Sequence, residues 1–224
     1  MKKTDRIIEI GALKIREGEV VDTYQTLLYP GFPLREETVQ ITGITDDMLR
    51  GKRSFSQAAD ELLAFLEEDV LLGHSIADDY AFLKKAFVDA YPKGFTFDRE
   101  GIDTLKIARA FLPAEQKKTL SAACSYFGYD FHPHRALDDA RATFFLYQKL
   151  CGEFAGKSPE AFLPRPLVFA VKKDSPVRAR QIEILNDLLK EKNLTAPYPL
   201  EQLTRSRASR IIDKLRSGQD DFWT

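Results

Sequence analysis

The chain has 224 residues, of which 44% are hydrophobic and 30% are charged, and its formal net charge at pH 7 is −1. This composition is typical of a globular protein long enough for one domain and an appendage. No apolar run approaches the ~20 residues of a membrane helix, and the N-terminus lacks the apolar segment of a signal peptide. The sequence therefore predicts a cytoplasmic protein without a membrane span. Two cysteines in apolar helical contexts, Cys124 and Cys151, are expected to be free thiols.

Charge is distributed unevenly along the chain. Residues 165–216 contain 12 Lys and Arg against 6 Asp and Glu, a net of +6, whereas residues 1–164 contain 21 against 26, a net of −5. An acidic body suits metal binding, and a basic tail suits attraction of phosphates. Ordinary solvated helix faces explain the same distribution, so the charges alone leave both interpretations open.

The first predicted elements form β-structure. Residues 6–15 are rich in Ile and Leu, Glu17-Gly18-Glu19 can make a tight turn, and residues 20–29 continue as the partner strand. The stretch Thr42-Gly43-Ile44-Thr45 is predicted to be a loop before a helix. The chain therefore begins with a β-hairpin.

The middle of the chain is predicted to be helix, strand and helix. Apolar residues at helical spacing indicate an amphipathic helix over residues 55–68, and residues 70–73 follow as a short buried strand. The next helix runs to about Tyr91 and carries the adjacent acids Asp78 and Asp79. Adjacent helical positions point about 100° apart, so these two carboxylates cannot both face one metal ion squarely.

Three more helices are predicted, over residues 102–112, 120–127 and 135–154. Asp103, at the start of the first of these, either caps that helix or orders a site from behind its ligands, and capping is the favoured interpretation. Strands that alternate with helices indicate an α/β sheet.

Prolines after Gly156 mark the end of this region. The sequence predicts a domain over residues 1–156, a linker over residues 157–175 and a small helical hairpin over residues 176–217. Leu167–Val171 has strand character, and the hairpin helices are predicted over residues 176–193 and about 199–216.

The stretch His-Pro-His-Arg-Ala-Leu-Asp-Asp-Ala, residues 132–140, carries candidate chemistry. Asp139 lies in the first turns of the last predicted helix of the domain, and His134 lies at or just before the helix start. A rigid carboxylate there can hold a hard cation, while a neutral histidine takes a proton from a water molecule whose pKa the cation lowers. The alternative is a solvated helix start with a capping histidine.

A second stretch, residues 71–83, has the sequence Leu-Leu-Gly-His-Ser-Ile-Ala-Asp-Asp-Tyr-Ala-Phe-Leu. Together with His134-x-Ala136-x-x-Asp139, it resembles the DnaQ-like (DEDDh) exonucleases, which include the exonuclease domains of bacterial DNA polymerase III of the epsilon and PolC types. The family motif is His-Asn-x-x-Phe-Asp-x-x-Phe-Leu, so Ser75 replaces the usual Asn and Asp78 the usual Phe. The resemblance covers about residues 4–150, and further stretches that support it are residues 6–12, 41–45 and 102–105.

One family motif is not found in the sequence. The Asp-x-Glu of the opening strand is expected upstream of residues 3–6, so two of the family's four metal-binding carboxylates and an N-terminal strand are predicted to be missing. Either one opening strand of a normal enzyme is omitted, or the protein is a degenerate relative that only binds. The retained His134 and Asp139 favour the first explanation. Glu9 is a weak candidate for a replacement metal ligand.

The resemblance implies an α/β, ribonuclease H-like exonuclease domain, in which a mixed sheet is flanked by helices. It implies hydrolysis of phosphodiester bonds from the 3′ end, with two Mg²⁺ or Mn²⁺ ions about 3.5–4 Å apart. His134 would be the general base, and Asp79 and Asp139 would be metal ligands. The substrate-binding residues implied are Thr42, Gly43, Ile44 and His74.

The partners implied are 3′ ends of single-stranded DNA or RNA, together with a DNA polymerase. In the helical hairpin, residues 204–210 are similar to a short module at the ends of some bacterial nucleic-acid enzymes. Arg205, Arg207 and Arg210 either contact phosphates or form a soluble face. The alternative function is a catalytically inactive nucleic-acid-binding relative, which predicts salt-sensitive binding without product release.

Overall fold

The structure is a computed structural model that describes residues 6–91, 95–131, 133–171, 175–197 and 199–217. They belong to two compact units, residues 1–171 and residues 172–224. The strands, all in the first unit, are β1 (Glu9–Arg16), β2 (Glu19–Leu27), β3 (Leu71–Gly73), β4 (Glu100–Asp103) and β5 (Arg165–Pro166). The α-helices of the first unit are α1 (Glu36–Thr42), α2 (Asp46–Leu49), α3 (Phe55–Leu66), α4 (Ile76–Ala90), α5 (Thr104–Phe111), α6 (Leu120–Tyr126) and α7 (Ala136–Leu150). The second unit contains α8 (Ala179–Glu191) and α9 (Arg205–Arg216).

Strands β1 and β2 form the antiparallel hairpin that the sequence predicts. Their pairing begins with Glu9 opposite Leu27. Glu17 and Gly18 make the turn with positive φ angles of 52° and 82°, a conformation that glycine adopts at no steric cost.

A second sheet contains the start of the motif of residues 71–83. Strand β3 pairs in parallel with β4, and β4 pairs antiparallel with β5, which makes this sheet mixed. Among the described residues, β1 pairs only with β2, and β3 pairs only with β4. Within these residues, each of the two strands therefore has its partner strand on one side.

Helix α7 approaches β1 at a glycine. A Cβ atom on Gly11 would lie 2.2 Å from the backbone nitrogen of Leu137 and 2.4 Å from the carbonyl carbon of Ala136. Only a residue without a side chain allows the two backbones to come this close. The contact brings the start of α7 to the strand that contains Glu9.

Apolar clusters stabilise each unit. In the first unit, one cluster surrounds the fully buried Phe87 and Phe97, and another packs α5, α6 and α7 around Cys124 and Leu146. In the second unit, α8 packs on α9, which confirms the predicted pair of helices. Both cysteines are free, as predicted. Every helix within the described part of the chain is too short or too polar to cross a bilayer.

Several elements differ from the sequence prediction. The second hairpin helix, predicted from about residue 199, begins at Arg205. The helix predicted over residues 102–112 begins only at Thr104, because Ile102 and Asp103 extend β4 beside Leu72 and Gly73. Helix α1 was not predicted, since none of its seven residues is buried and it has no apolar periodicity to reveal it.

The segment predicted as a linker, residues 157–175, is divided by the structure. Phe162 is buried in an apolar cluster of the first unit, and Arg165–Pro166 form β5 beside β4, so the chain through residue 171 belongs to that unit. The prediction of strand structure over Leu167–Val171 is wrong, because only the two residues before this stretch pair with β4. Within it, the Leu167 amide donates one hydrogen bond to the Arg99 carbonyl at 2.9 Å.

Candidate active site

The end of β3 and the start of α4 present two adjacent acids. Ser75 is the N-cap residue of α4 and has a left-handed backbone conformation, with φ of 74°. Asp78 and Asp79 follow in the first turn of the helix. The Ser75 hydroxyl donates to Oδ2 of Asp78 at 2.9 Å, so Asp78 has a partner within its own turn.

Asp79 is surrounded by negative charge. The residue keeps solvent access, but the protein packed around its carboxyl group desolvates it, and the charges of Asp78, Asp139 and Asp103 add to this effect. Together they raise the pKa of Asp79 to about 6. We call Asp78, Asp79, Asp103 and Asp139 the acidic cluster. Acids whose pKa values are perturbed in this way are typical of functional sites.

Asp139 contributes to the acidic cluster from the first turn of α7. Desolvation raises the pKa of Asp139, and the charges of Asp138 and Glu9 act in the same direction, whereas the amide and the charge of His134 oppose it. The structure therefore brings Asp79 and Asp139, which are distant in the sequence, into one electrostatic group.

His134 lies immediately before α7 in an unusual backbone conformation. Its φ angle of 78° is uncommon for a residue that has a Cβ atom. The His134 amide donates to Oδ1 of Asp139 at 3.3 Å, and the residue is exposed. The imidazole therefore belongs to a residue next to the acidic cluster that water can reach, as a general base requires. His132, from the same stretch, lies outside the described residues.

Asp103 connects the ends of two paired strands. One of its carboxyl oxygens accepts hydrogen bonds from the amides of Leu105 and Ser75, both at 3.0 Å. The first bond caps α5, and the second holds the loop between β3 and α4. The favoured interpretation of Asp103 as the cap of its helix is therefore confirmed, and the same oxygen atom also holds the segment before α4.

Both ring nitrogens of His74 contact the protein itself. Nε2 donates to the Lys118 carbonyl at 2.8 Å, since a carbonyl can only accept, and Nδ1 lies 3.0 Å from the hydroxyl of the buried Thr104. Burial lowers the pKa of His74, which favours the neutral ring. These bonds tie β3 to α5 and to the segment before α6. Substrate binding through these nitrogens, which the resemblance implies, would require one of the bonds to break.

Glu9 is occupied by partners of its own. Its side chain is 6% exposed and accepts from Nη2 of Arg135 and from the Ala136 amide, both at 3.0 Å. A carboxylate neutralised in this way is not free to replace a missing metal ligand. Sequence reasoning missed this pair. The signal that could have revealed it is a lone acid within the apolar run Ile7-Ile8-Glu9-Ile10.

The predicted substrate residues of the N-terminal part lie between α1 and α2. Thr42 ends α1, Gly43 has a left-handed φ of 68°, and Ile44 is buried. The Thr42 hydroxyl accepts from the Ile44 amide at 3.2 Å, which closes the loop. A Cβ atom on Gly43 would meet nothing within 4 Å, so the space beside this residue is open.

The predicted phosphate-binding arginines lie in the second unit. Arg205 and Arg207 are in the first turn of α9, where Arg205 is exposed and Arg207 is half-buried. The side chain of Arg210 lies outside the described residues. The phosphate contacts that the sequence offers for these residues stay a prediction.

The chemistry of the acidic cluster suits a hard divalent cation, because carboxylate oxygens are the ligands that Mg²⁺ and Mn²⁺ prefer. Across the part of the chain that the structure describes, no group of three or more His, Cys, Asp or Glu side chains is arranged to hold a metal ion. A site that held such an ion with Asp79 and Asp139 would need further oxygen ligands, and the metal ligation that the resemblance implies for these two acids stays a prediction.

Comparison with known sequences identifies related proteins. The RNase T profile of the exonuclease family matches residues 1–147. The PolC-type DNA polymerase III of Thermotoga petrophila is 39% identical over 142 residues, which are 63% of this chain and 10% of the polymerase. The chain thus spans about a tenth of the length of such relatives. The DNA polymerase III subunit epsilon of Aquifex aeolicus is 31% identical over 148 residues, covering 66% of this chain and 72% of the subunit.

Solved structures of lower identity share the fold. The nuclease domain of 3′hExo, a DEDDh family member bound to rAMP, has a TM-score of 0.58 at 18% identity and covers 73% of this chain and 86% of that chain. Exonuclease X in complex with 5′ overhanging duplex DNA has a TM-score of 0.55 at 21% identity, with coverages of 70% and 88%. These likenesses confirm the ribonuclease H-like α/β fold that the sequence predicts.

Proposed function

The chain belongs to the exonuclease family, and from this premise we propose that it is a 3′–5′ exonuclease module that hydrolyses phosphodiester bonds at the 3′ end of DNA or RNA. The observation that carries the proposal is the acidic cluster, in which the charge of Asp139 acts on Asp79 and the His134 amide donates to the Asp139 carboxylate. Carboxylates that repel one another are stabilised when a cation joins them.

Each residue of the site has a distinct role in this proposal. Asp79 and Asp139 hold a divalent ion, and His134 takes the proton from the attacking water. When bound, Mg²⁺ or Mn²⁺ neutralises the charge that develops on the phosphate and makes water a better nucleophile. The exposure of His134 supports its role, because the residue that removes the proton has to pass it on to solvent.

Asp103, a member of the acidic cluster, and several residues near the cluster hold the site in place or receive the substrate. Asp103 and His74 fix the segment between β3 and α4, the helix that carries Asp79, through bonds to Ser75 and to Lys118 and Thr104. The loop of residues 42–44 receives the terminal nucleotide, because the open space beside Gly43 allows a sugar or base to approach the backbone.

The proposal requires additional oxygen ligands. The family resemblance predicts an Asp-x-Glu pair on a strand before β1, and residues 1–8 of the sequence do not contain this pair. Within the described residues, β1 and β3 each pair with one strand, and we propose that such a strand would lie along their other edges. Full turnover therefore depends on two further carboxylates beside Asp79 and Asp139.

The test is hydrolysis of 5′-labelled single-stranded DNA and RNA oligonucleotides in the presence of Mn²⁺. Two forms of the protein are compared: the chain itself, and the chain preceded by a strand that carries Asp-x-Glu. The extended form is expected to shorten the oligonucleotides from the 3′ end, and Asp139→Asn is expected to reduce the rate to background. Asp47→Asn, which changes an exposed acid of α2, is the matched control and keeps full activity. Intact oligonucleotides with both forms would overturn the proposal.

The relatives suggest the setting in which this activity is used. PolC-type and epsilon proteins are DNA polymerase III components by name, so the proposed partner is a DNA polymerase and the proposed location is the cytoplasm. The choice between DNA and RNA depends on contacts to the 2′-hydroxyl. Rates on DNA and RNA oligonucleotides of the same sequence measure this preference directly.

Nucleic-acid binding without turnover is the second candidate function. One observation favours it: within the described residues there is no group of three metal ligands. Arg205 and Arg207 then supply phosphate contacts in the second unit. Fluorescence anisotropy with a labelled single strand separates the two functions, since a binding module gives affinity that falls steeply with salt and no shortened product.

A further inference from the structure

We infer that Glu9 and Arg135 form a clamp that positions His134 and Asp139, an inference that rests on the exonuclease function proposed above. Glu9 is the first residue of β1, and Arg135 is the N-cap residue of α7, directly after His134. We call this pair the Glu9–Arg135 clamp. Both are positioning residues, and neither is required to touch the substrate.

The clamp consists of several bonds to one buried carboxylate. Nε of Arg135 lies 3.2 and 3.4 Å from the two Glu9 oxygens, and Nη2 lies 3.0 Å from Oε1. The Ala136 amide donates to Oε2 at 3.0 Å. Because both oxygens are engaged, the carboxylate fixes the arginine side chain and the helix backbone at the same time.

Glu9 also replaces a missing helix cap. A helix normally begins with a residue whose side chain accepts a hydrogen bond from the first turn. Arg135 is the N-cap residue of α7 and makes no such bond, since a guanidinium has no acceptor. Glu9 supplies the acceptor from β1 instead, and its negative charge suits the positive end of the helix dipole.

The clamp acts on the two functional residues through the backbone. The Asp139 amide donates to the Arg135 carbonyl at 3.0 Å, and the His134 amide donates to the Asp139 carboxylate at 3.3 Å. These bonds form a closed loop through Arg135, the residue that Glu9 holds. A displacement of Arg135 would therefore move both His134 and Asp139.

The conformation of His134 is the reason why such a clamp is needed. Its φ of 78° is unfavourable for a residue with a Cβ atom, and such conformations persist only where the surrounding structure imposes them. The Gly11 contact sets the distance between β1 and α7, and the Glu9–Arg135 clamp sets how α7 begins. Without the clamp, we expect His134 to relax to negative φ and to leave its place beside Asp139.

Two substitutions test the clamp, each with a different change. Glu9→Gln keeps the size of the side chain and removes its charge, and Arg135→Lys keeps the charge and removes the planar, two-nitrogen contact. Arg141→Lys is the matched control, because Arg141 lies on the same helix and forms an exposed ion pair with Asp138. Amide hydrogen exchange and amide chemical shifts are measured by NMR, and Mn²⁺ affinity is measured from the broadening of the Asp79 and Asp139 signals.

In both clamp variants, we expect faster exchange at Ala136 and Asp139 and shifted His134 and Asp139 signals, with unchanged exchange in α3. We expect Mn²⁺ affinity to fall about 10-fold, the usual effect of removing a group that orients a ligand. Arg141→Lys is expected to match the wild type in every measurement. A structural role alone would change the melting temperature without moving the metal affinity.

The outcomes separate this inference from the proposed function. If the wild type neither binds Mn²⁺ nor cleaves in its extended form, the proposed function fails, and the NMR signals alone decide whether the clamp exists. If Glu9→Gln does not fold, Arg135→Lys decides, since the Arg135 side chain is 42% exposed and tolerates the change. His134 and Asp139 signals that match the wild type in the folded variant would overturn the clamp.

Discussion

Glu9 and Asp79 are both carboxylates close to the start of a helix, yet the protein treats their charges in opposite ways. Glu9 is buried and neutralised by Arg135 and by the Ala136 amide. Asp79 keeps solvent access, and the side-chain charges that act on it most strongly belong to the other acids of the acidic cluster. In this pair, the acid that holds the start of a helix has a counter-charge in Arg135, whereas the acid that we propose as a cation ligand has other acids around it.

The two arrangements have opposite consequences for stability. A buried carboxylate with a complete set of donors is costly to disturb, because removal of one partner leaves the other unsatisfied. The acidic cluster is itself costly, because its members repel one another while they are ionised. Removal of a partner from the Glu9 carboxylate should therefore lower the free energy of unfolding, and removal of one charge from the acidic cluster should raise it.

The largest effect is expected from Gly11→Val, which tests the region around Glu9, where α7 packs against β1. A Cβ atom at this position would lie 2.2 Å from the Leu137 nitrogen, so β1 and α7 would have to separate. We expect a loss of more than about 3 kcal/mol in the free energy of unfolding, or no folded protein. Urea unfolding followed by circular dichroism measures it.

The control for this substitution is Gly152→Ala, because a Cβ atom there would meet no atom within 4 Å. Gly152 lies in the π-helical segment Cys151–Ala155 that follows α7, and alanine at this position should change stability by at most about 1 kcal/mol. If Gly11→Val were as stable as the control, the close approach of α7 to β1 would be absent in solution. The contrast between the packed surroundings of Glu9 and the acidic cluster around Asp79 would then fail.

The candidate residues of the site could be found from the sequence, whereas the Glu9–Arg135 pair could not. Asp79, His134 and Asp139 stand in motifs with fixed spacing, so the family and its fold were predicted from them and are confirmed. The Glu9–Arg135 pair has no such spacing, because its members lie 126 residues apart and only the folded β1–α7 contact brings them together.

The same reason explains the misplaced elements. Ile102 and Asp103 belong to β4 because they pair with β3, and this long-range pairing leaves no local pattern in the sequence. The residues around β5 look like a linker because of their prolines, yet Phe162 anchors them in the core of the first unit. Elements with their own apolar periodicity, such as α3 and α4, were predicted within a few residues.

A smaller loss is expected from Thr104→Val, which tests how the acidic cluster is held from behind. The Thr104 hydroxyl is fully buried and lies 3.0 Å from Nδ1 of His74 and 3.3 Å from the Gly73 carbonyl. Valine has a similar shape but leaves the imidazole nitrogen without a partner. We expect a loss of about 1–2 kcal/mol in urea unfolding.

Thr23→Val is the matched control, because Thr23 is exposed on β2. It should change the free energy of unfolding by less than about 0.5 kcal/mol. Equal effects of the two substitutions would mean that the His74–Thr104 bond contributes nothing to the free energy of unfolding. The bond would then not hold the acidic cluster in place.

A gain in stability is expected from Asp79→Asn, and it should depend on pH. The pKa of Asp79 is raised to about 6 in the folded protein, so the folded state binds this proton more tightly than the unfolded state. Ionisation of Asp79 therefore costs no stability below about pH 4, and the cost grows as the pH rises through about 6. At about pH 8 we expect Asn to stabilise the protein by on the order of 1 kcal/mol, allowing for the solvent access of this residue.

Thermal unfolding of the wild type and of Asp79→Asn is measured at a series of pH values. The difference in stability between the two proteins gives the contribution of Asp79 alone. Burial lowers the pKa of His74, so protonation of His74 removes stability as the pH falls below its unfolded value of about 6.5, and this occurs equally in both proteins. The advantage of Asp79→Asn should vanish at about pH 4. A variant that is less stable than the wild type at about pH 8 would show that Asp79 has a counter-charge after all.

The smallest effect is expected from Asp47→Asn. It tests whether the stability that Glu9 provides comes from the burial of its carboxylate or from ion pairing alone. Asp47 forms an ion pair with Arg50 at 2.6 Å, which is shorter than every bond of the Glu9–Arg135 clamp, but both side chains are 80% exposed. Water replaces the lost partner, so the free energy of unfolding should change by less than about 0.5 kcal/mol. If Asp47→Asn cost as much as Glu9→Gln in the same urea titration, a short contact alone would account for the clamp. The burial of Glu9 and its bond to the start of α7 would then have no special importance.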